Sequence, residues 1–298
     1  MRMTTQTAER GIASALDRRR ASVRWSIRLT TWLLLLALLV VGLGPVLWLA
    51  KSAVTPAQDT LRDPMALFPN GADLENLSTA WTRFEISRYF VNTLVLAVGS
   101  WFVQVLVAAS GGYVLSVLRP AWARVVHVLV LATLFVPAVV LLVPLFLTVL
   151  DVPFVHVSLI NSFWAVWLPA GASAFNLVIV TRFFDNLPRE VFEAAQVDGA
   201  GPFRLAWSVV LPMSRPILGV VSVFAVIAAW KDFLWPLLVL RAPEKQPLSV
   251  RLPALETYVP VDVFLAALAI STVIPIVLFL LFQRFFLRGA GLGGAVKG

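Results

Sequence analysis

Residues 193–212 read EAAQVDGAGPFRLAWSVVLP and sit between two long apolar segments. Just upstream, Asp185 and Asn186 can cap a helix, Pro188 suits its first turn, and Gly199 can end it with a positive φ. A second short helix is expected to start at Pro202 and stop before Pro212. Helical spacing puts Glu190, Glu193 and Val197 on one stripe of the first piece and Phe203, Trp207 and Val210 on one face of the second. The stretch therefore reads as a small helical hairpin that either grips another protein or lies on lipid headgroups.

What surrounds the hairpin is membrane protein. The chain has 298 residues, 59% of them hydrophobic and 13% charged, and its mean hydropathy of +0.87 lies outside the range of soluble domains. No cysteine is present, and His127 and His156 are the two histidines, so thiolate sites and metal catalysis are poorly supplied. Crossing the hydrocarbon takes about 20 mostly apolar residues. Six stretches qualify: 29–50, 89–118, 123–150, 159–181, 216–240 and 263–286. The first is too long for a signal-peptide core and has no small-residue cleavage site after it, so it is expected to be retained. Pro137, Pro144, Pro169, Pro236 and Pro275 fall within spans and predict kinks.

The net charge of +8 flanks the spans, which points to a membrane surface rather than nucleic acid. The N-terminal tail, the 119–124 and 182–215 segments and the chain end from Arg284 onward together hold sixteen Lys and Arg, against seven in the alternate segments. The positive-inside rule then makes both termini and the hairpin cytoplasmic. The expected layout is a cytoplasmic tail (1–28), a six-helix domain (29–287) carrying the hairpin at about 185–215, and a cytoplasmic tail (288–298). The segments at 51–88 and 241–262 read as solvated outer connections.

Glu193-Ala194-Ala195, three residues, Gly199, nine residues, Val209, one residue and Leu211-Pro212 resemble the EAA motif of ABC-importer permeases, with Val209 at the usual Ile position. Phe175-Asn176, Arg182-Phe183-Phe184, Asp198-Gly199-Ala200, Gln283-Arg284-Phe285-Phe286 and the closing Gly-Ala-Val-Lys-Gly extend the resemblance to the carbohydrate-uptake permeases, of the maltose-permease kind, over about 29–298. The resemblance implies an all-α, type I importer permease fold of six transmembrane helices in a bacterial inner membrane, with the hairpin as the coupling helix. It implies four kinds of partner: a second homologous permease, an ATPase dimer at the cytoplasmic face, an extracytoplasmic solute-binding protein and a carbohydrate substrate. Glu193, Ala194, Ala195, Asp198, Gly199, Leu211 and Pro212 would carry the ATPase contact. The sequence holds no G-x-x-x-x-G-K-[ST] phosphate loop, so ATP and Mg are expected on the partner and no cofactor on this chain.

Polar groups at membrane depth are functional candidates. Lys231 and Asp232 stand in the fifth span, where related permeases usually carry Asn in place of the Lys. With Trp230, Asn92, Gln104 and Asn176 they are candidates for the solute pathway, against a structural polar pair near Pro236 and interhelical packing by the two asparagines and the glutamine. Gly111-Gly112 is expected to serve close helix packing. The alternative from another class is a self-contained ion-coupled transporter or channel using Lys231 and Asp232. An intramembrane enzyme lacks a nucleophile, paired acids or a metal set.

Overall fold

Where the chain bends is decided largely by its prolines. The structure, a computed structural model, describes residues 21–66 and 71–291. The basic tail up to Arg20 and the closing Gly-Ala-Val-Lys-Gly lie outside the described residues. The described chain is all-helical. The outer helices α1 (Ala21–Ser52), α2 (Ala57–Arg62) and α3 (Glu75–Thr82) lead into α4 (Ile86–Tyr113), which continues as a π turn over Val114–Leu118. There follow α5 (Ala123–Thr133), α6 (Leu142–Leu150), α7 (Trp164–Gly171) and α8 (Ala174–Asp185). Next come α9 (Arg189–Val197), α10 (Pro202–Leu205), α11 (Leu211–Met213) and α12 (Arg215–Lys231). The last helices are α13 (Leu234–Val239), α14 (Leu248–Leu255) and α15 (Val261–Gly291).

Residues 25–52 and 86–118 form helices long and apolar enough to cross a membrane, and three bent pairs reach that length when joined, giving up to five crossings among the described residues. The third expected span is more than kinked: residues 123–133 and 138–150 meet at 105°. Pro137 explains the break, because its ring excludes a helical neighbour and removes an N–H donor. Pro144, by contrast, sits in the first turn of α6, where a missing N–H costs no helical bond, and Pro275 stays inside α15.

Two prolines free carbonyls that other helices then occupy. In a continuous helix Pro169 would leave the Ala165 carbonyl unpaired; here the Trp235 indole Nε1 donates to it at 2.9 Å. Pro236 does the same to the Asp232 carbonyl, which accepts from Ser249 Oγ at 2.6 Å. The fifth expected span is consequently two helices, α12 and α13, parted at Asp232, whose ψ of 119° is extended.

The hub is α4, which packs against α12, α8 and α7, while α15 packs against α12, α3 and α1. Close approach of α4 to α8 needs Gly112: a Cβ there would lie 2.9 Å from Val180 Cγ1 and 3.3 Å from the Thr181 backbone nitrogen. At the expected outer end, residues 247–255 turn one face into the bundle, while residue 241 and residues 243–245 and 256–258 stay exposed as a solvated connection would. Leu248, Val250, Leu252 and Leu255 are buried. Asn92 Nδ2 donates to the Glu244 and Gln246 carbonyls at 2.8 and 3.0 Å, and Thr93 Oγ1 accepts from the Leu248 N–H at 2.9 Å.

Candidate functional site

The hairpin is built as its residues dictate at the turn. Gly199 has φ +77°. Its N–H reaches the Gln196 carbonyl at 3.0 Å, and the Ala200 N–H reaches the Ala195 carbonyl at 2.9 Å. This pair of bonds is the Schellman closure, which places a glycine in the left-handed region to satisfy the last carbonyls of a helix. The start differs from expectation. Pro188 is the residue before α9, without a side-chain cap. Asp185 instead accepts from Ser116 Oγ at 2.8 Å and Arg119 Nη2 at 2.9 Å.

The second arm also departs from a simple helix. It continues through Pro212 to Met213, with a π turn over Ala206–Val210. Pro212 would clash with the Ser208 carbonyl in a regular helix, and the wider turn just before it relieves that contact. The extra residue rotates Val210 off the expected face. Val210 is fully buried, whereas Phe203 and Trp207 are 83% and 68% exposed.

One side of the hairpin is thereby fixed to the bundle. Phe192, Leu205 and Val210 share a buried cluster with Ala108, Tyr113, Val180, Phe184 and Val221 from α4, α8 and α12. Burial of three such side chains stabilises the docking by about 1.5–3 kcal/mol each. Tyr113 Oη donates to the Pro202 carbonyl at 2.7 Å, and Arg189 Nη2 to the Ser116 carbonyl at 3.2 Å. The opposite side is open. Glu193, Ala194, Val197, Asp198, Gly199 and Pro212 are exposed, and Ala195 and Leu211 are half-buried. The Tyr113, Ser116, Arg119 and Asp185 contacts carry no local sequence signal, since they join residues 66 to 89 positions apart.

Tyr113→Phe removes one bond from this attachment, worth about 1 kcal/mol. Cleavage of the 197–201 turn by protease under native conditions is expected to quicken by about fivefold, the ratio that such a loss gives for local opening. An unchanged cleavage rate would mean that the hydroxyl does not hold the hairpin.

Among the polar candidates, Lys231 and Asp232 line a cavity of about 450 Å³ together with Ser100, Gln104, Pro169 and Trp235. The two charges sit where α12 ends and form no ion pair with each other. Asp232 Oδ1 accepts from the Trp235 N–H at 3.4 Å. Ser100 Oγ is buried without a protein partner among the described residues. Asn176 Nδ2 donates to Gln104 Oε1 at 2.7 Å, joining α8 to a cavity residue of α4. Asn92 and Trp230 are elsewhere: Asn92 holds the 244–246 carbonyls, and Trp230 is packed edge-on to Phe90 at 6.1 Å in the core beside α15.

Against known proteins, residues 105–290 match the family described as binding-protein-dependent transport system inner membrane component. The diacetylchitobiose uptake system permease protein NgcG of Streptomyces coelicolor is 30% identical, over 91% of this chain and 88% of its own length. The arabinooligosaccharides transport system permease protein AraQ of Bacillus subtilis is 29% identical, over 92% and 96%. A crystal structure of a bacterial ABC transporter involved in the import of the acidic polysaccharide alginate contains a chain of the same fold. Its TM-score is 0.78 at 23% identity, covering 93% of this chain and 99% of that one.

Proposed function

The chain belongs to the family of binding-protein-dependent transport system inner membrane components, and on that premise we propose that it is a permease subunit of an ATP-driven carbohydrate importer. The six crossings are α1, α4, the broken pairs α5–α6 and α7–α8, α12 with α13, and α15, with both termini and the hairpin on the cytoplasmic side of a bacterial inner membrane. A second, homologous permease supplies the other half of the pathway. A solute-binding protein delivers the carbohydrate from outside, and a pair of ATPase subunits binds ATP and Mg. Membership of this family leaves the self-contained ion-coupled transporter without support.

The observation that carries this reading is the two-sidedness of the hairpin. Its inner side is continuous with the α4, α8 and α12 core, and its outer side presents Glu193 and Val197 on the first arm, with Phe203 and Trp207 exposed on the second, where they line an apolar hollow with Leu106, Ala109 and Val114. Exposed apolar side chains gathered in one patch are what a partner buries. Closure of the ATPase pair around ATP pulls on the outer side, and the buried inner side passes the displacement to the helices that wall the cavity. Glu193 gives the contact direction, Ala194 and Ala195 allow close approach, and Gly199 holds the turn.

Ser100, Gln104, Lys231 and Asp232 offer donors and acceptors suited to sugar hydroxyls as they pass. Lys231→Ala is expected to lower uptake roughly tenfold, as loss of a charged hydrogen-bond donor does, with ATPase association unchanged. Equal uptake by the variant would remove Lys231 from the pathway. The reading as a whole is tested by isolating the chain from its native membrane under mild detergent. Recovery of a second permease and an ATPase is expected, and recovery of a transport-competent chain alone would refute it.

A further inference from the structure

A basic cleft lies beside the root of the hairpin, lined by Arg119, Arg124, His127, Arg182 and Asp185 in a space of about 580 Å³. Its charges do not cancel. Asp185 is paired with Arg119 at 2.9 Å. The Arg124 and Arg182 guanidinium groups have no hydrogen-bond or ion-pair partner among the described residues, and both residues are exposed. The eleven-residue helix α5 begins at Ala123 in the same wall, so its positive end adds to theirs.

The flank of the cleft is apolar. Trp122, Val125, Val128 and Leu129 are each more than half exposed. A soluble anion would use the arginines and leave this surface bare, whereas a phospholipid would use both. Arginine forks match phosphate oxygens, and basic pockets between membrane helices take anionic headgroups.

We infer that this cleft binds the phosphate of an anionic phospholipid, with an acyl chain along the exposed face of α5. Its place in the cytoplasmic leaflet rests on the sidedness proposed above; the binding itself does not. Because Arg119 and Asp185 belong both to the cleft and to the bonds that tie the end of α8 to the turn after α4, an occupied cleft stiffens the junction from which the hairpin extends.

The test uses the full-length chain without ATPase, so its outcome is independent of the transport assignment. The chain is placed in nanodiscs of equal phosphatidylglycerol and phosphatidylcholine, extracted, and its retained lipid identified by native mass spectrometry. Phosphatidylglycerol is expected to dominate. Arg124→Gln with Arg182→Gln is expected to lower its retention about 25-fold, at about fivefold per basic group. Excess inorganic phosphate at constant ionic strength is expected not to displace it. Equal retention of both lipids by the unaltered chain would overturn the site without recourse to any variant. Displacement by inorganic phosphate would overturn the lipid as occupant in favour of a soluble phosphate.

Discussion

A Glu193→Lys chain is expected to insert, fold and pair with its permease partner while losing the ATPase and all ATP-driven uptake. Glu193 stands on the exposed face of α9, less than two turns before the Schellman closure at Gly199. Reversing its charge there disturbs nothing inside the chain, since Glu193 is exposed and has no ion pair among the described residues. Opposite a basic group of a partner, the same change replaces an attraction with a repulsion. Losing one member of a buried interfacial charge pair costs about 2–5 kcal/mol, or roughly 30- to 4000-fold in affinity. Co-purification of the ATPase with the variant at wild-type yield would show that the contact lies elsewhere.

The second large effect is expected inside the bundle. Gly112→Val puts a branched side chain where even a Cβ would sit 2.9 Å from Val180 Cγ1 and 3.3 Å from a backbone nitrogen. Val180 is itself fully buried and shares its cluster with Phe184, Phe192 and Val210. The overlap cannot be relieved by one side chain turning into solvent, so α4 and α8 must separate. Overpacking of this kind costs about 1–3 kcal/mol. At roughly 2–4 °C per kcal/mol for a chain of this size, the thermal midpoint in detergent should fall by about 2–12 °C. Because the hairpin is seated on the same cluster, ATPase association should weaken with it. A variant with unaltered midpoint would mean that the two helices do not approach at Gly112.

These two substitutions also separate what the sequence made legible from what it hid. The turn at Gly199 was legible because only one residue type adopts a positive φ cheaply after a helix, and the flanking residues demand a stop there. The first two spans, which form unbroken helices, were legible for a similar reason, since the hydrocarbon imposes a length and a composition. Pairing of Gly111-Gly112 with close helix packing followed from the absence of side chains.

The breaks were less legible, because a proline announces a lost bond and not where the chain goes next. At Pro137 the result is a 105° bend, and at Pro212 a π turn that carries Val210 inward. Regular 3.6-residue spacing had put Val210 beside Phe203 and Trp207, and one extra residue in the turn undid that. Asn92 and Trp230 illustrate a different limit. Polarity and aromaticity at membrane depth mark residues that need a partner, and the partners here are the 244–246 carbonyls and Phe90, supplied by distant parts of the chain. Lys231, Asp232 and Gln104 were also polar at depth, but only the folded chain brings them around one cavity.

The most direct test of the account is uptake by sealed vesicles containing this chain, its permease partner and the ATPase pair, with the binding protein and its sugar outside. Sugar should accumulate only when ATP is enclosed on the hairpin side, and Glu193→Lys should abolish accumulation while leaving the chain in the membrane. Accumulation by this chain alone, driven by an ion gradient without ATP, would contradict it.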